Sequence, residues 1–233
     1  MDRGRRRMLW IPLAALPAAC KSLGGGSAMA GASPDHATAV ARPAALGQRW
    51  VYNVRNSFNG ELVDEVTESV VSAGPVVRIA RQSRARGRLA DEVQSPWGMI
   101  SVDSHWESAV EFDRPLPAWP ESLPLPRTAS FDRQYRAPGS DSARFEWDMT
   151  MRPAGWSTVT VPAGAFDALH YRNQIRFVSD DVVRLENERF ESIWFAPEVG
   201  RWVLRRDWGR YFVSGRGGDR YEDFLVWELV AWA

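Results

Sequence analysis

Residues 145–152 read Phe-Glu-Trp-Asp-Met-Thr-Met-Arg, with Phe145, Trp147, Met149 and Met151 on one phase and Glu146, Asp148, Thr150 and Arg152 on the other. Successive side chains of a strand point to opposite faces, so this alternation predicts a strand with one face in a core and one in water. A helix would smear the same residues around its circumference. The rhythm continues outward in both directions. Upstream, Trp50, Tyr52 and Val54 alternate after Gly47, Asn59-Gly60 offers a hairpin turn, and 61–71 returns. Further strands are expected over 76–80, 90–95, 99–112, 156–161, 168–177, 184–195, 202–213 and 221–232, separated by Gly, Pro and Asp punctuation. The last of these is apolar on both phases, which predicts a central place with cover on both sides.

About a dozen short strands with little helical periodicity make the fold class all-β or strand-dominated. A sheet of that size curls, so a half-barrel or barrel-like antiparallel sheet is expected. Twelve tryptophans, ten phenylalanines and five tyrosines agree with it, since aromatic residues favour strands. Residues 113–127 hold five prolines and read as an extended connector between halves 47–112 and 128–233 of one domain, 47–233.

The first 46 residues read differently. Arg3, Arg5, Arg6 and Arg7 precede a short apolar run from Met8 to Ala19 interrupted by Pro12 and Pro17. That run is too short to span a bilayer and has the layout of a signal peptide, 1–19. Arg5-Arg6 also resembles a twin-arginine export signal. Ala18-Ala19-Cys20 resembles the end of a bacterial lipobox, with Leu16 one place further back than usual. The resemblance implies lipidation of Cys20, the chain's sole cysteine, and a membrane partner through that anchor. The other reading is ordinary cleavage near 28–32, which would discard Cys20. Residues 20–46 are rich in Gly, Ala and Ser and are expected to form a flexible tether. Lys21, not Asp, follows Cys20, which by resemblance to lipoprotein sorting implies a periplasm-facing place on the outer membrane of the cell envelope.

Charge excludes some partners. Residues 1–19 hold four of 29 basic and one of 29 acidic residues, so the chain from Cys20 carries 25 against 28, a net charge of −3. Nucleic acid is not an expected partner. With Cys20 acylated, the body has no thiol for disulfides, thiolate metal sites or nucleophilic catalysis.

Val161-Pro162-Ala163-Gly164-Ala165-Phe166-Asp167-Ala168 and Trp194-Phe195-Ala196-Pro197-Glu198-Val199-Gly200 fit V-P-A-G-x-F-x-A and W-(Y/F)-A-P-x-V-G patterns. They resemble a family of uncharacterised exported bacterial proteins, a domain of unknown function. That resemblance implies a curled antiparallel sheet similar to lipoprotein-carrier folds, and brings no catalytic residues. As local structure, both motifs are chain reversals set by Pro162, Gly164, Pro197 and Gly200, with Phe166 in the core.

The sharpest chemical candidate is Asp103-Ser104-His105-Trp106-Glu107. On a strand, Asp103, His105 and Glu107 would share a face about 7 Å apart, a weak metal-ligand or hydrolase arrangement. The competing reading is a solvent face opposite Val102, Trp106 and Val110. His170 is expected to point outward between Leu169 and Tyr171. Arg78, Arg81, Arg84, Arg86 and Arg88 form a basic cluster read either as contact with anionic headgroups or as a solvated hairpin around Gly87. No nucleotide-loop, zinc-protease or serine-elbow motif occurs, so no cofactor and no catalytic residue is assigned. The expected function is that of a non-enzymatic envelope lipoprotein binding an apolar ligand or a partner protein. Its rivals are a hydrolase built on the Asp103 face and a structural subunit of an envelope assembly.

Overall fold

The computed structural model describes residues 36–233 except Ser142, Asp180, Val182, Arg216 and Asp223, so the expected signal peptide 1–19, Cys20 and most of the expected tether lie outside the described residues. Fourteen strands follow in chain order: β1 Arg49–Asn56, β2 Leu62–Ser72, β3 Val77–Ser83, β4 Gly87–Arg88, β5 Glu92–Gln94, β6 Met99–Asp103, β7 Val110–Pro117, β8 Ala129–Arg136, β9 Phe145–Val161, β10 Gly164–Phe177, β11 Arg184–Ala196, β12 Arg201–Val213, β13 Asp219–Tyr221 and β14 Leu225–Trp232. Twelve of them close into an antiparallel barrel, with β4 paired to β3 and β13 to β12 outside the ring. Closure comes at the C-terminal end of the chain. β12 pairs with β11 on one side and, from Leu204↔Glu228 to Asp207↔Leu225, with β14 on the other. β14 in turn pairs with β1, which leaves the ring no free edge.

The alternation that predicts strands holds where it was sharpest. Trp147, Met149 and Met151 are buried inside the barrel, as are Trp50, Tyr52 and Val54, while Glu146, Asp148 and Arg152 are exposed. β14 has a paired neighbour on each side, but its outer face lacks the full cover expected: Trp227 and Leu229 are buried, whereas Val226 and Val230 are only half-buried. The stretches 145–152 and 156–161 form one strand. A bulge at Pro153–Gly155 opposite His170/Tyr171 absorbs the proline and keeps both segments in register with β10. The stretch 99–112 does the opposite: the sheet breaks after Asp103, and 104–109 leaves it before β7 begins.

Both sequence motifs are reversals. Pro162-Ala163 link β9 to β10, and Phe166 drops into the core. The second motif links β11 to β12 and buries Val199, whose carbonyl accepts hydrogen bonds from Gln48 Nε2 and Trp50 Nε1. Trp194 faces outward, while Trp202 faces inward and stacks on Tyr52 at 4.0 Å.

Two expectations are corrected. Residues 36–46, expected as the end of a flexible tether, lie on the body. Ala39, Ala41 and Ala44 pack against the core, and the Arg42 amide donates to Pro197 O at 2.8 Å. His36 pairs with Asp167 at 2.5 Å and stacks on Trp156 at 4.0 Å. Small side chains here pack against the core, so the composition that suggested flexibility is compatible with close packing. Nor does 113–127 link two halves. Pro115 and Pro117 sit in β7, whose pairing with β8 is confined to Glu111 and Phe112, so neither proline removes a ladder bond to β8. The following turn folds over one barrel end, where Leu123 is buried and Trp119 stacks on Phe195 at 4.6 Å.

Gly200 has φ 69°, and a Cβ there would lie 2.8 Å from the Arg42 carbonyl oxygen. Gly164 also has positive φ, but a Cβ there would meet only the Phe166 ring at 3.8 Å. We therefore expect Gly200→Val to lower stability by about 1–3 kcal/mol and Gly164→Val by less, measured by denaturant unfolding of both variants.

Candidate functional site

The barrel interior is charged. Glu68 lies on the inward phase of β2 between Val66 and Val70, and is fully buried. Arg81 lies on the inward phase of β3 beyond Val77 and Ile79, and Arg201 opens β12. Arg201 is forked between two carboxylates. Its Nη2 is 2.7 Å from Glu68 Oε2 and 2.7 Å from Glu92 Oε2, with Nε on Glu68 at 3.0 Å and Nη1 on Glu92 at 2.8 Å. Arg81 donates to the other Glu68 oxygen at 3.0 Å and to Ser104 O and Oγ. A second cluster adjoins it. Arg205 reaches Glu191 at 2.8 Å and Asp207 at 3.3 Å, and Arg189 reaches the same two at 3.2 and 3.1 Å.

His105 enters this interior, contrary to the solvent-face reading. Because β6 ends at Asp103, strand alternation no longer sets its direction, and the 104–109 excursion carries the imidazole inward to 3% exposure. Its Nε2 is 2.9 Å from Glu68 Oε1, and its Nδ1 is 3.1 Å from Asp103 Oδ1 and 3.4 Å from Glu92 Oε2. Each nitrogen donates to a carboxylate only when the ring carries both protons. Five carboxylates (Glu68, Glu92, Asp103, Glu191 and Asp207) face four arginines and the His105 ring. Asp103 also accepts from Trp106 Nε1 at 3.1 Å. Glu107 is exposed and does not join, so the proposed Asp103/His105/Glu107 face is not assembled, and no group of metal-ligating side chains is found among the described residues.

Burial alone would raise the Glu68 carboxyl. Arg201, then His105 and Arg81, outweigh it and hold the group well below the usual carboxylate range. Glu92 and Glu191 follow the same pattern, with burial opposed first by Arg201 and Arg205 respectively. Asp103 is lowered by His105 against its own burial. Tryptophan faces complete the surroundings, with Arg201 5.4 Å from the Trp50 ring, Arg81 5.8 Å from Trp227 and Arg189 4.4 Å from Trp106. Guanidinium is the cation suited to this, being a planar fork that stacks on rings and is weakly hydrated.

Inside lies a cavity of about 60 Å³ lined by Glu92, His105 and Arg201 together with apolar side chains such as Phe112, Leu116 and Met149. Pockets for small ligands run from about 300 Å³ upward, so this space is well below ligand size. The expected greasy concavity is filled. Larger hollows lie outside: one of about 460 Å³ beside Arg176, Glu188 and Arg210, and one of about 580 Å³ where β12 and β14 diverge.

The remaining candidates resolve simply. His170 does face outward, half-buried and flat against Trp194 at 4.2 Å; burial, then Arg172 and Arg206, lower its pKa. In the basic cluster Arg81 is internal, Arg78 and Arg88 pair with Asp91, and Arg86 lies 3.6 Å from Asp64. It is a hairpin around Gly87 whose charges are largely matched.

These features define a class: a closed antiparallel barrel whose inside is packed with its own ion pairs. No family model and no curated protein matches the chain. Solved structures do share the fold. A candidate lipoprotein from Parabacteroides distasonis ATCC 8503 is similar at 14% identity and TM-score 0.50, over 82% of this chain and 97% of that one. A candidate exported protein with YmcC-like fold from Bacteroides fragilis NCTC 9343 is similar at 14% identity and TM-score 0.51, over 84% of this chain and 99% of that one. The hypothetical lipoprotein YmcC from Escherichia coli K12 superposes with TM-score 0.44 at 9% identity, over 79% of this chain and 84% of that one. The likeness to the first two is one of fold.

Two outcomes test the interior. His105→Ala removes a donor from Glu68 and Asp103 in a buried setting, and should cost about 3 kcal/mol in chemical denaturation. Because Glu68, Glu92, Asp103 and Glu191 are all depressed in the folded state, their stabilisation is complete above the unfolded carboxyl pKa of about 4 and is lost below it. Thermal melts from neutral to acid pH should therefore stay level to about pH 5 and fall steeply below about pH 4.

Proposed function

We propose that the protein is an envelope lipoprotein, held by an acyl group on Cys20 and working as a non-enzymatic binding scaffold through the outside of its barrel. The observation that supports the outward reading is the size of the interior space: at about 60 Å³, lined by Ile100, Phe112, Leu116 and Met149 as well as by charged groups, it is too small for an apolar ligand. A partner macromolecule is the occupant this leaves. The envelope address rests on the Arg3–Arg7 and Cys20 signals, and the lipoprotein and exported-protein descriptions of the two fold neighbours agree with it. Lys21 after Cys20 favours delivery to the outer membrane. The hydrolase reading loses its motivation, since both His105 nitrogens are engaged with carboxylates away from solvent.

Metabolic labelling with a fatty acid should mark the wild-type chain, and Cys20→Ala should abolish the label and release the protein from membranes. Native mass spectrometry of wild type should show the acylated chain without a second, noncovalent lipid. A soluble wild-type protein starting downstream of Cys20 would refute the anchor. A stoichiometric co-purifying apolar ligand would restore the carrier reading.

A further inference from the structure

Register across the outer face of β9 to β12 places Arg152 opposite Arg172, Arg172 opposite Ser192, and Ser192 opposite Arg206. All three arginines are exposed, and none makes an ion pair with a described acidic residue. Directly opposed side chains on antiparallel strands have Cβ atoms about 5 Å apart, where like charges are destabilising. Two residues further along each strand from Gln174 and Phe190 the same face is balanced. Arg176 and Arg210 share Glu188 at 2.7 and 2.5 Å, opposite Asp148. The nearest outward carboxylate on β14, Glu228, is engaged by Arg55 at 3.3 Å. The unmatched row is thus specific to one level of the barrel.

An aromatic strip runs beside it. Arg206 lies over Trp194 at 5.6 Å, and Trp194 lies flat on His170. Phe190 stacks on Trp208 at 4.4 Å and Trp208 on Phe224 at 5.5 Å, and Phe58, 76% exposed, meets Phe224 edge-on at 4.7 Å. The 580 Å³ hollow between β12 and β14 is lined by Arg206, Trp208 and Phe224, and by Asp207 and Glu228, whose charges are taken up by Arg205 and Arg55. Cations in a row with tryptophan and a protruding phenylalanine are the composition that sits at a membrane interface.

We propose that this face docks on the headgroup layer of an anionic bilayer. Arg152, Arg172 and Arg206 meet lipid phosphates, with Ser192 as a neutral donor between them, and Phe58, Trp208 and Phe224 enter the interface. A small soluble anion would engage the arginines and leave the aromatic strip unused, which is why the lipid surface is the occupant chosen. The inference goes beyond the anchor at Cys20 and does not need it. The barrel lies against the membrane by one side as well as being tethered to it.

The test uses the full chain carrying Cys20→Ala, so that no acyl group contributes, sedimented with vesicles of phosphatidylcholine with or without phosphatidylglycerol. Near a membrane surface each arginine contributes about a fivefold preference for anionic lipid, so R152Q/R172Q/R206Q should weaken partition onto the anionic vesicles by on the order of a hundredfold. R84Q/R86Q/R88Q, which removes the same charge from the β3–β4 hairpin, should leave partition within about threefold of the parent. Phe58→Ser should weaken it independently of salt, whereas the arginine contribution should fade as salt is added. Relief of the Arg152–Arg172 repulsion should leave the melting temperature of Arg172→Gln unchanged or raised, so lost binding is not lost folding. Equal loss in the two triple variants, or equal binding to neutral vesicles, would overturn the proposal. So would displacement by millimolar inorganic phosphate, which would mark the row as a soluble-anion site.

Discussion

Arg201 stands between Glu68 and Glu92, and the barrel is organised around that fork. The three residues come from β12, β2 and β5, strands that do not neighbour one another in the ring, so the ion pairs span the interior. His105, Arg81 and Asp103 extend the contact to β3 and to the excursion after β6. Taking such groups out of water costs several kcal/mol per ion, and only near-complete pairing offsets it. The pairing here is close to complete: each carboxylate of the first cluster has more than one donor, and the cations lie against tryptophan rings. A network of this kind does more for uniqueness than for net stability, because any other register of β2 or β12 would strand a charge in the interior.

The same interaction decides what the barrel can do. Lipid-carrying sheets keep an apolar hollow, whereas here guanidinium, imidazole and carboxylate groups occupy the centre and aromatic rings fill the ends. Trp106 and Tyr135 meet Trp147 edge to face with Phe177 tilted against it, and Trp97, Trp119 and Phe195 pack together at another site. Under the proposed function recognition falls on the outside, where one level of β9 to β12 carries the arginines Arg152, Arg172 and Arg206. Charge is matched inside the barrel and over much of its outside, and the Arg152–Arg172–Arg206 level departs from that pattern.

Much of the fold is legible because it depends on local alternation. Trp147, Met149 and Met151, or Trp50, Tyr52 and Val54, announce their buried face without any knowledge of partners. The interior cluster leaves a fainter trace. Glu68 interrupts the apolar phase of Val66 and Val70, and Arg81 that of Val77 and Ile79, so a charge on the wrong phase was visible. Its partners were not, since Glu68 and Arg201 are 133 residues apart and meet only through barrel closure. His105 was misdirected for a definite reason: alternation was carried past Asp103, where the strand had already ended. Residues 36–46 mislead in another way, since a run of small residues reads as loose chain until the core it packs on is known. The Arg152–Arg172–Arg206 row depends wholly on register and has no signature along the chain.

The most direct measurement is a double-mutant cycle on Glu68→Gln and Arg201→Met, with unfolding followed in denaturant for wild type, both single variants and the double variant. If the fork organises the interior, each single change strands a buried partner and the double change relieves it, giving a coupling energy of about 2–3 kcal/mol. Costs that add to within about 0.5 kcal/mol would show that Glu68 and Arg201 act independently, and would contradict the account at its centre.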